Sequence, residues 1–112
     1  MTDLITWSDF EKVDLRAGTI LEAKDFPKAR KPAYQLRIDF GELGILKSSA
    51  QITAHYKKED LIGRQIIAVV NFPKKQIADF MSECLVTGLP DENGDIVLSS
   101  IERQVPNGTR LI

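Results

Sequence analysis

The stretch Tyr34-Gln35-Leu36-Arg37-Ile38-Asp39-Phe40 alternates apolar and polar side chains without a break, and Gly41 to Gly44 follow it. Because successive side chains of a strand point to opposite faces, the alternation predicts a strand with one buried face. The two glycines predict a tight connection to a return strand, Ile45 to Gln51. In the return strand, one face carries Leu46, Ser48 and Ala50, and the other carries Lys47, Ser49 and Gln51. The segment therefore predicts a β-hairpin.

Further strands are predicted on both sides of this hairpin. Val13 to Ala23 alternates in the same way, and Gly18 within it is predicted to allow a bend or bulge. Gln65 to Phe72 is an apolar, β-branched run that ends at Pro73 and suits a central strand. Two later strands, Ser82 to Leu89 and Asp95 to Ser99, flank a turn at residues 90–94.

Two short helices are predicted. Thr6 with Asp9 three positions later is typical of a capped helix start, and this helix presents Trp7 and Phe10 on one side. The second helix, Thr53 to Leu61, lies between the third and fourth strands and is ended by Gly63.

This element order predicts an all-β fold, an OB-type five-stranded barrel with a short helix between strands 3 and 4 and short terminal extensions. With 112 residues and no linker-like tract, we expect a single domain over 1–112, with the barrel at about 13–99. In OB folds, ligands lie across the outer face of strands 2 and 3, which here carries Arg37, Lys47, Ser49 and Gln51.

The charge balance excludes a global positive field. Fifteen basic and sixteen acidic residues give a net charge of -1, so nucleic-acid binding would need a local patch. Basic residues with interleaved aromatic ones supply a candidate patch, and the alternative is that the aromatics are core residues and the charges solvate loops. The patch comprises Lys24, Lys28, Arg30, Lys31, Arg37, Lys74 and Lys75, with Phe26, Tyr34 and Phe72 among them.

Membrane insertion and catalysis are not predicted. The longest apolar run, Ile66 to Val70, has five residues, and residues 1–10 carry no basic side chain, so we expect a cytoplasmic protein without a membrane span. Cys84 is the only cysteine and His55 the only histidine, which leaves no structural zinc site and no credible nucleophile–base pair. No phosphate-binding glycine motif is present, and we expect no enzyme activity, metal or cofactor.

The chain ends carry apolar side chains outside the predicted barrel. Trp7 and Phe10 at one end, and Val105 and Leu111 at the other, either cap the barrel mouths or form a dimer interface.

Several ordered blocks of the sequence resemble the CsaA family of bacterial protein-export chaperones, built on the tRNA-binding-domain version of the OB fold. The resemblance covers about Phe10 to Thr109. The blocks are Asp14-Leu15-Arg16-Ala17-Gly18-Thr19-Ile20, Phe26-Pro27-Lys28-Ala29-Arg30, Ile38-Asp39-Phe40-Gly41, Ser48-Ser49-Ala50-Gln51-Ile52-Thr53 and Val69-Val70-Asn71-Phe72-Pro73.

The resemblance implies a homodimer that binds unfolded export precursors without ATP and works with the translocase motor SecA. A chaperone for extended chains needs apolar pockets rimmed by polar groups that can satisfy a peptide backbone. We expect Gln51, Asn71 and Ser82 to serve backbone groups, with Ser49 on the same face. Polar or acidic segments would be attracted by Arg30, Arg37, Lys47 and Lys74.

The alternative function is structure-specific tRNA binding, because the same fold is appended to bacterial methionyl-tRNA synthetases. The tRNA-binding members carry Asn-Leu-Lys-Pro and then Ser-x-Gly-Met. Here Asn71 and Ser82 keep that separation, but Phe72-Pro73-Lys74 and Cys84-Leu85 replace the other residues. The resemblance therefore implies only weak tRNA binding.

Overall fold

The computed structural model describes residues 3–112, which form nine strands, two short α-helices and one 3₁₀ turn. The helices are α1 (Trp7–Glu11) and α2 (Lys58–Leu61), and the 3₁₀ turn is Gly41–Leu43. Within this part of the chain, no helix is long and apolar enough to cross a membrane. The strands are β1 (Leu15–Asp25), β2 (Tyr34–Asp39), β3 (Ile45–Ala50), β4 (Gln65–Val69), β5 (Lys75–Ile77), β6 (Phe80–Ser82), β7 (Leu85–Val86), β8 (Gly88–Pro90) and β9 (Ile96–Leu98).

Five strands form one antiparallel sheet in the order β3-β2-β1-β4-β7, and β5-β6 and β8-β9 form two separate hairpins. The sheet curves into a nearly closed barrel, with α2 between the third and fourth strands. The predicted all-β, OB-type fold class is therefore confirmed. The predicted hairpin is also confirmed, because β2 and β3 pair from Tyr34 with Ala50 to Asp39 with Ile45.

The barrel core is built from the alternating face that the sequence predicted. Leu36 and Ile38 of β2, together with Phe40 after it, are fully buried, as are Ile20 of β1 and Ile66 of β4. Each such side chain contributes roughly 1.5–3 kcal/mol by leaving water. The polar residues between them, such as Arg37, face solvent, so the period of two determines which side of the sheet is inside.

Gly18 has a different role from the predicted one. The register shift in β1 lies between Ile20 and Glu22, whereas Gly18 pairs regularly with Ile66. A Cβ atom at position 18 would lie 2.6 Å from the Phe40 Cε1 atom. The glycine therefore permits the Phe40 ring to pack against the β1 backbone, and the bulge at Leu21 turns that side chain outward.

Two predicted elements are shorter or divided in the structure. The predicted helix 53–61 is reduced to α2, because residues 53–55 form a turn. The predicted strand 82–89 is divided into the end of β6, β7 and β8, and the hairpin that begins with β5 was not predicted. The predicted start of α1 is confirmed, since Asp9 N–H donates to Thr6 Oγ1 and Thr6 N–H donates to Asp9 Oδ2.

The barrel closes where β3 meets Ser82–Cys84, a contact that we call the seam. Glu83 N–H donates to the Lys47 carbonyl at 2.7 Å, and Lys47 N–H donates to Glu83 Oε1 at 3.0 Å. Ser49 N–H donates to Ser82 Oγ at 3.1 Å, and the buried Ser48 hydroxyl donates to the Cys84 carbonyl at 2.9 Å. Two side-chain oxygens and one backbone N–H thus satisfy part of a strand edge that a ladder would otherwise pair.

We expect Glu83→Ala to destabilise the protein by about 1–3 kcal/mol, because the Lys47 N–H loses its acceptor at a half-buried site. Glu83→Gln keeps an amide oxygen for that bond and is expected to retain most of the stability. Urea unfolding followed by circular dichroism measures both variants, with Glu92→Ala in an exposed turn as the control. Equal stability of the two Glu83 variants would contradict this role.

Candidate functional site

A cavity of about 490 Å³ opens on the outer side of the seam. Its polar floor is formed by Ser49 and Ser82, which are hydrogen-bonded to each other through the Ser49 N–H. Its apolar wall includes Phe72 and Leu85, which are 55% and 50% exposed, and Ile77 of β5. Large side chains left open to water on a concave surface are typical of a site that binds an apolar partner.

Two further cavities share Ser49 and Gln51 with the first one. A cavity of about 870 Å³ extends toward the β1–β2 connection and is lined by Lys28, Arg30 and Lys31. A cavity of about 390 Å³ extends along β7 toward Ile96. The three cavities form one open surface around the end of β3, which we call the seam groove.

The basic residues of the seam groove differ in whether they form an ion pair with a carboxylate. Lys28 forms an ion pair with Asp79 at 3.0 Å, and this contact holds the pKa of Asp79 below its usual range. Within residues 3–112, Arg30, Lys31 and Lys75 form no ion pair. All three are exposed and line the larger cavity. One wall of the groove therefore carries uncompensated positive charge, although the net charge of the chain is -1.

Four of the predicted binding residues lie in the seam groove. Ser49 and Gln51 lie at its centre, at the end of β3, where the alternation of the strand turns their side chains away from the core. Ser82 lies across the seam from them, and Arg30 lies on the basic wall.

The other four predicted binding residues lie outside the lining of the groove. Arg37 is paired with Glu22 of β1 at 3.3 Å, and Lys74 is paired with Glu83 of the seam at 3.3 Å. The Lys47 ammonium lies 5.2 Å from the centre of the Phe80 ring.

The fourth of these residues, Asn71, joins the end of β4 to the segment after α1. Its Oδ1 accepts from Asp14 N–H at 3.0 Å, and its Nδ2 donates to the Lys12 carbonyl at 2.7 Å. Both ends of the carboxamide are thus occupied by backbone groups of the protein.

Sequence reasoning did not assign Lys31, Lys75, Ile77 or Leu85 to the site. Lys31 and Lys75 belong to the predicted basic patch. They differ from the paired members of that patch in forming no ion pair among the described residues, which is a property of the fold and not of the sequence pattern. Ile77 reaches the groove because β5 and β6 form a hairpin beside β3. A three-residue strand within residues 73–82 gives too short a pattern to be detected.

The apolar terminal residues lie in two places. Trp7 is 64% exposed and packs against Phe10 with ring centres 5.4 Å apart. Val105 and Leu111 line a separate apolar pocket of about 280 Å³, together with Ala17, Ile67 and Ile101. The C-terminal segment is attached to β1, because Leu111 N–H donates to the Leu15 carbonyl at 2.8 Å.

His55, Asp91 and Asp95 form the group in the described part of the chain that most resembles a set of metal ligands. Their ligand atoms lie within 4.8 Å of one another. Asp91 is, however, engaged in the turn before β9: Oδ2 bonds His55 Nε2 at 2.7 Å, and Oδ1 accepts the N–H groups of Asn93 and Asp95. These bonds, led by the one to His55, hold the pKa of Asp91 below its usual range. The arrangement ties the β8–β9 turn to the loop before α2.

Comparisons with known proteins agree with this fold. The family described as "Putative tRNA binding domain" matches residues 15–110. Among curated proteins, the methionine–tRNA ligases of Methanocaldococcus jannaschii and Bdellovibrio bacteriovorus are 31% and 35% identical over 104 and 107 residues. The matches cover 93% and 96% of this chain but only 16% and 15% of those ligases.

Solved structures resemble the chain over its full length. The chaperone CsaA of Bacillus anthracis is 53% identical with a TM-score of 0.92, covering 98% of this chain and 100% of that one. The CsaA chaperone protein of Picrophilus torridus is 50% identical with a TM-score of 0.90, covering 97% and 100%. A MetRS related protein from Pyrococcus horikoshii, 24% identical with a TM-score of 0.87 and covering 99% and 100%, shares the fold. The chain belongs to the tRNA-binding-domain family, and within that family it is similar over its whole length to the CsaA chaperones.

Proposed function

We propose that the protein is an ATP-independent chaperone that holds unfolded export precursors in the cytoplasm and passes them to the translocase motor SecA. The observation that carries the proposal is the seam groove, in which an exposed apolar wall, a polar floor and a basic wall are continuous. The similarity to two CsaA chaperones over the whole chain supports it.

The groove has the properties that capture of an unfolded chain needs. Phe72 and Leu85 are about half exposed and offer apolar area without requiring a deep, sequence-specific pocket. The Ser49 and Ser82 hydroxyl groups and the Gln51 amide offer hydrogen bonds that a peptide backbone can use. Holding such a chain requires no bond to be made or broken, so the proposed function needs no catalytic group.

A second candidate function is tRNA binding, which is favoured by the family to which the chain belongs and by the unpaired Arg30, Lys31 and Lys75. Phosphate contacts from a few cations give an affinity that falls steeply with salt. Asn71, which the chain shares with the tRNA-binding motif, uses its carboxamide within the protein, where it bonds the Asp14 N–H and the Lys12 carbonyl. We therefore propose tRNA as a weak ligand only.

We also propose that the protein is a homodimer that pairs through its terminal segments. Trp7 leaves an indole largely exposed on α1, and Val105 and Leu111 leave an apolar pocket open near the C-terminus. Burying this surface against a second copy would remove it from water, which is a main source of dimer stability.

The first prediction concerns the ligand. The protein is expected to suppress aggregation of a diluted, unfolded precursor at a near-stoichiometric ratio without ATP, measured by turbidity. Phe72→Ala is expected to weaken suppression more than Leu43→Ala, because both side chains are exposed but only Phe72 lines the groove. Submicromolar tRNA binding in filter assays at about 0.15 M salt, with no effect on aggregation, would favour the tRNA function instead.

The second prediction concerns assembly. Light scattering is expected to give about twice the chain mass of 12.6 kDa at micromolar concentration. Trp7→Ala is expected to shift the equilibrium toward the monomer without unfolding it, since the indole is 64% exposed in the single chain. Phe72→Ala, a matched aromatic truncation in the groove, is expected to remain dimeric. A monomeric native protein would contradict the proposal.

The third prediction concerns Cys84, which burial keeps protonated by raising the pKa of its thiol to about 12. We expect slow reaction of the native protein with a thiol reagent at pH 8. The thiol of the unfolded chain ionises near pH 8.5, whereas the buried thiol of the folded chain stays neutral. The free energy of unfolding is therefore expected to fall as pH rises from about 9 toward 12. Reaction at the rate of an activated thiolate would contradict this prediction.

A further inference from the structure

The edge of β3 beside the seam groove is only partly paired. The alternation of an antiparallel ladder directs the backbone groups of Lys47 and Ser49 away from β2 and toward the seam. Both groups of Lys47 bond Glu83, and Ser49 N–H bonds Ser82 Oγ. Within the described residues, the Ser49 carbonyl and the next N–H on this side, that of Gln51, form no hydrogen bond.

The unpaired part of the edge adjoins open space. Ser49 and Gln51 belong to the lining of all three cavities of the seam groove. A carbonyl acceptor followed by an N–H donor on one strand edge matches the backbone of another extended chain. A polypeptide backbone supplies both an N–H and a carbonyl at this spacing, whereas the phosphate groups of a nucleic acid supply acceptors only and leave donation to ribose hydroxyl or base-edge groups. The edge therefore favours a polypeptide over a nucleic acid.

The walls on either side of this edge differ in charge. Phe72 and Leu85 line the first cavity and make that side apolar, whereas Arg30 and Lys31 line the larger cavity and place unpaired cations on the other side. Ile77 and the unpaired Lys75, both on β5, line both cavities and lie between the two sides. A segment that crosses the groove would bring its side chains near both walls. The complementary segment has apolar side chains at one end and carboxylates at the other.

We propose that the seam groove binds an extended segment as an added β-strand, paired with the Ser49 carbonyl and the Gln51 N–H, and selects segments in which apolar residues adjoin acidic ones. This inference rests on the proposed chaperone function and specifies its client segments. Segments in which apolar residues adjoin lysine or arginine are disfavoured, because their charge meets Arg30, Lys31 and Lys75.

The charge component is tested with fluorescein-labelled ten-residue peptides that share five apolar residues and differ in a run of Glu, Gln or Lys. Fluorescence anisotropy with the full-length protein is expected to give about tenfold tighter binding of the Glu peptide than of the Lys peptide at low salt. The double variant Arg30→Glu/Lys75→Glu is expected to abolish or reverse the preference. Lys57→Glu/Arg103→Glu makes the same charge change at exposed positions outside the groove and is expected to retain it.

The strand component is tested with N-methylated versions of the Glu peptide, because a methyl group removes the donor that the Ser49 carbonyl would accept. Methylation of the amides that face β3 is expected to weaken binding at least tenfold, and methylation of the alternate amides is expected to have a smaller effect. Successive amide N–H groups of a β-strand point to opposite edges, so only one of the two sets can face β3 and weaken binding when it is methylated.

Three results would overturn the inference. They are equal binding of the Glu and Lys peptides, indifference to both methylation patterns, and tRNA binding to the basic wall that the Glu peptide does not displace. In each case, retained suppression of aggregation would leave the proposed chaperone function standing. If no peptide binds and no aggregation is suppressed, the proposed function itself fails, and the inference fails with it.

Discussion

The hydrogen bonds between β3 and Ser82–Cys84 are the constraint on which the rest of the structure depends. The five-stranded sheet leaves β3 at one edge and β7 at the other, and a curved sheet becomes a barrel only if the β3 edge is satisfied. The chain satisfies part of it with the Glu83 N–H, the Glu83 carboxylate and the Ser82 hydroxyl, and the Ser48 hydroxyl of β3 adds a bond to the Cys84 carbonyl. On β3 these bonds reach only Lys47, Ser48 and Ser49, so the Ser49 carbonyl and the Gln51 N–H remain unpaired within the described residues.

The position of the groove follows from this partial closure. Residues 83–84 join β6 to β7 and belong to no strand, and the β5–β6 hairpin stands beside β3 instead of continuing the sheet. The space between them is lined by side chains from both sides, and Ser49 and Gln51 lie at its centre. In a fully closed barrel these backbone groups would be paired and buried, and the proposed strand addition would have no edge to use.

The distribution of ion pairs explains how a protein with a net charge of -1 can have a basic surface. Most lysine and arginine side chains contact a carboxylate, including Arg37 with Glu22 and Lys74 with Glu83. Those pairs are exposed or half-exposed, so each contributes little stability, but each reduces the field that a ligand encounters. Arg30, Lys31 and Lys75 form no ion pair within the described residues, so no direct contact with a carboxylate neutralises their charge.

The sequence by itself determined the elements whose patterns are long enough to be unambiguous. The alternation from Tyr34 to Phe40 specified a strand, its buried face and its hairpin partner, because the period of two leaves one choice of face. Thr6 and Asp9 specified the start of α1 through bonds between residues three apart. The ordered blocks along the chain also indicated the family.

Only the tertiary structure decided which candidate residues meet. Ser49, Gln51, Ser82 and Arg30 come together because the seam and the β1–β2 connection bring distant segments to the end of β3. Arg37, Lys47, Asn71 and Lys74 have equivalent residue types but are directed to partners within the protein. Gly18 shows the same limit, since its close approach to Phe40 depends on a contact twenty-two positions away in the sequence. Side-chain types and local periods are properties of the sequence, whereas contact between distant residues is determined by how the barrel closes.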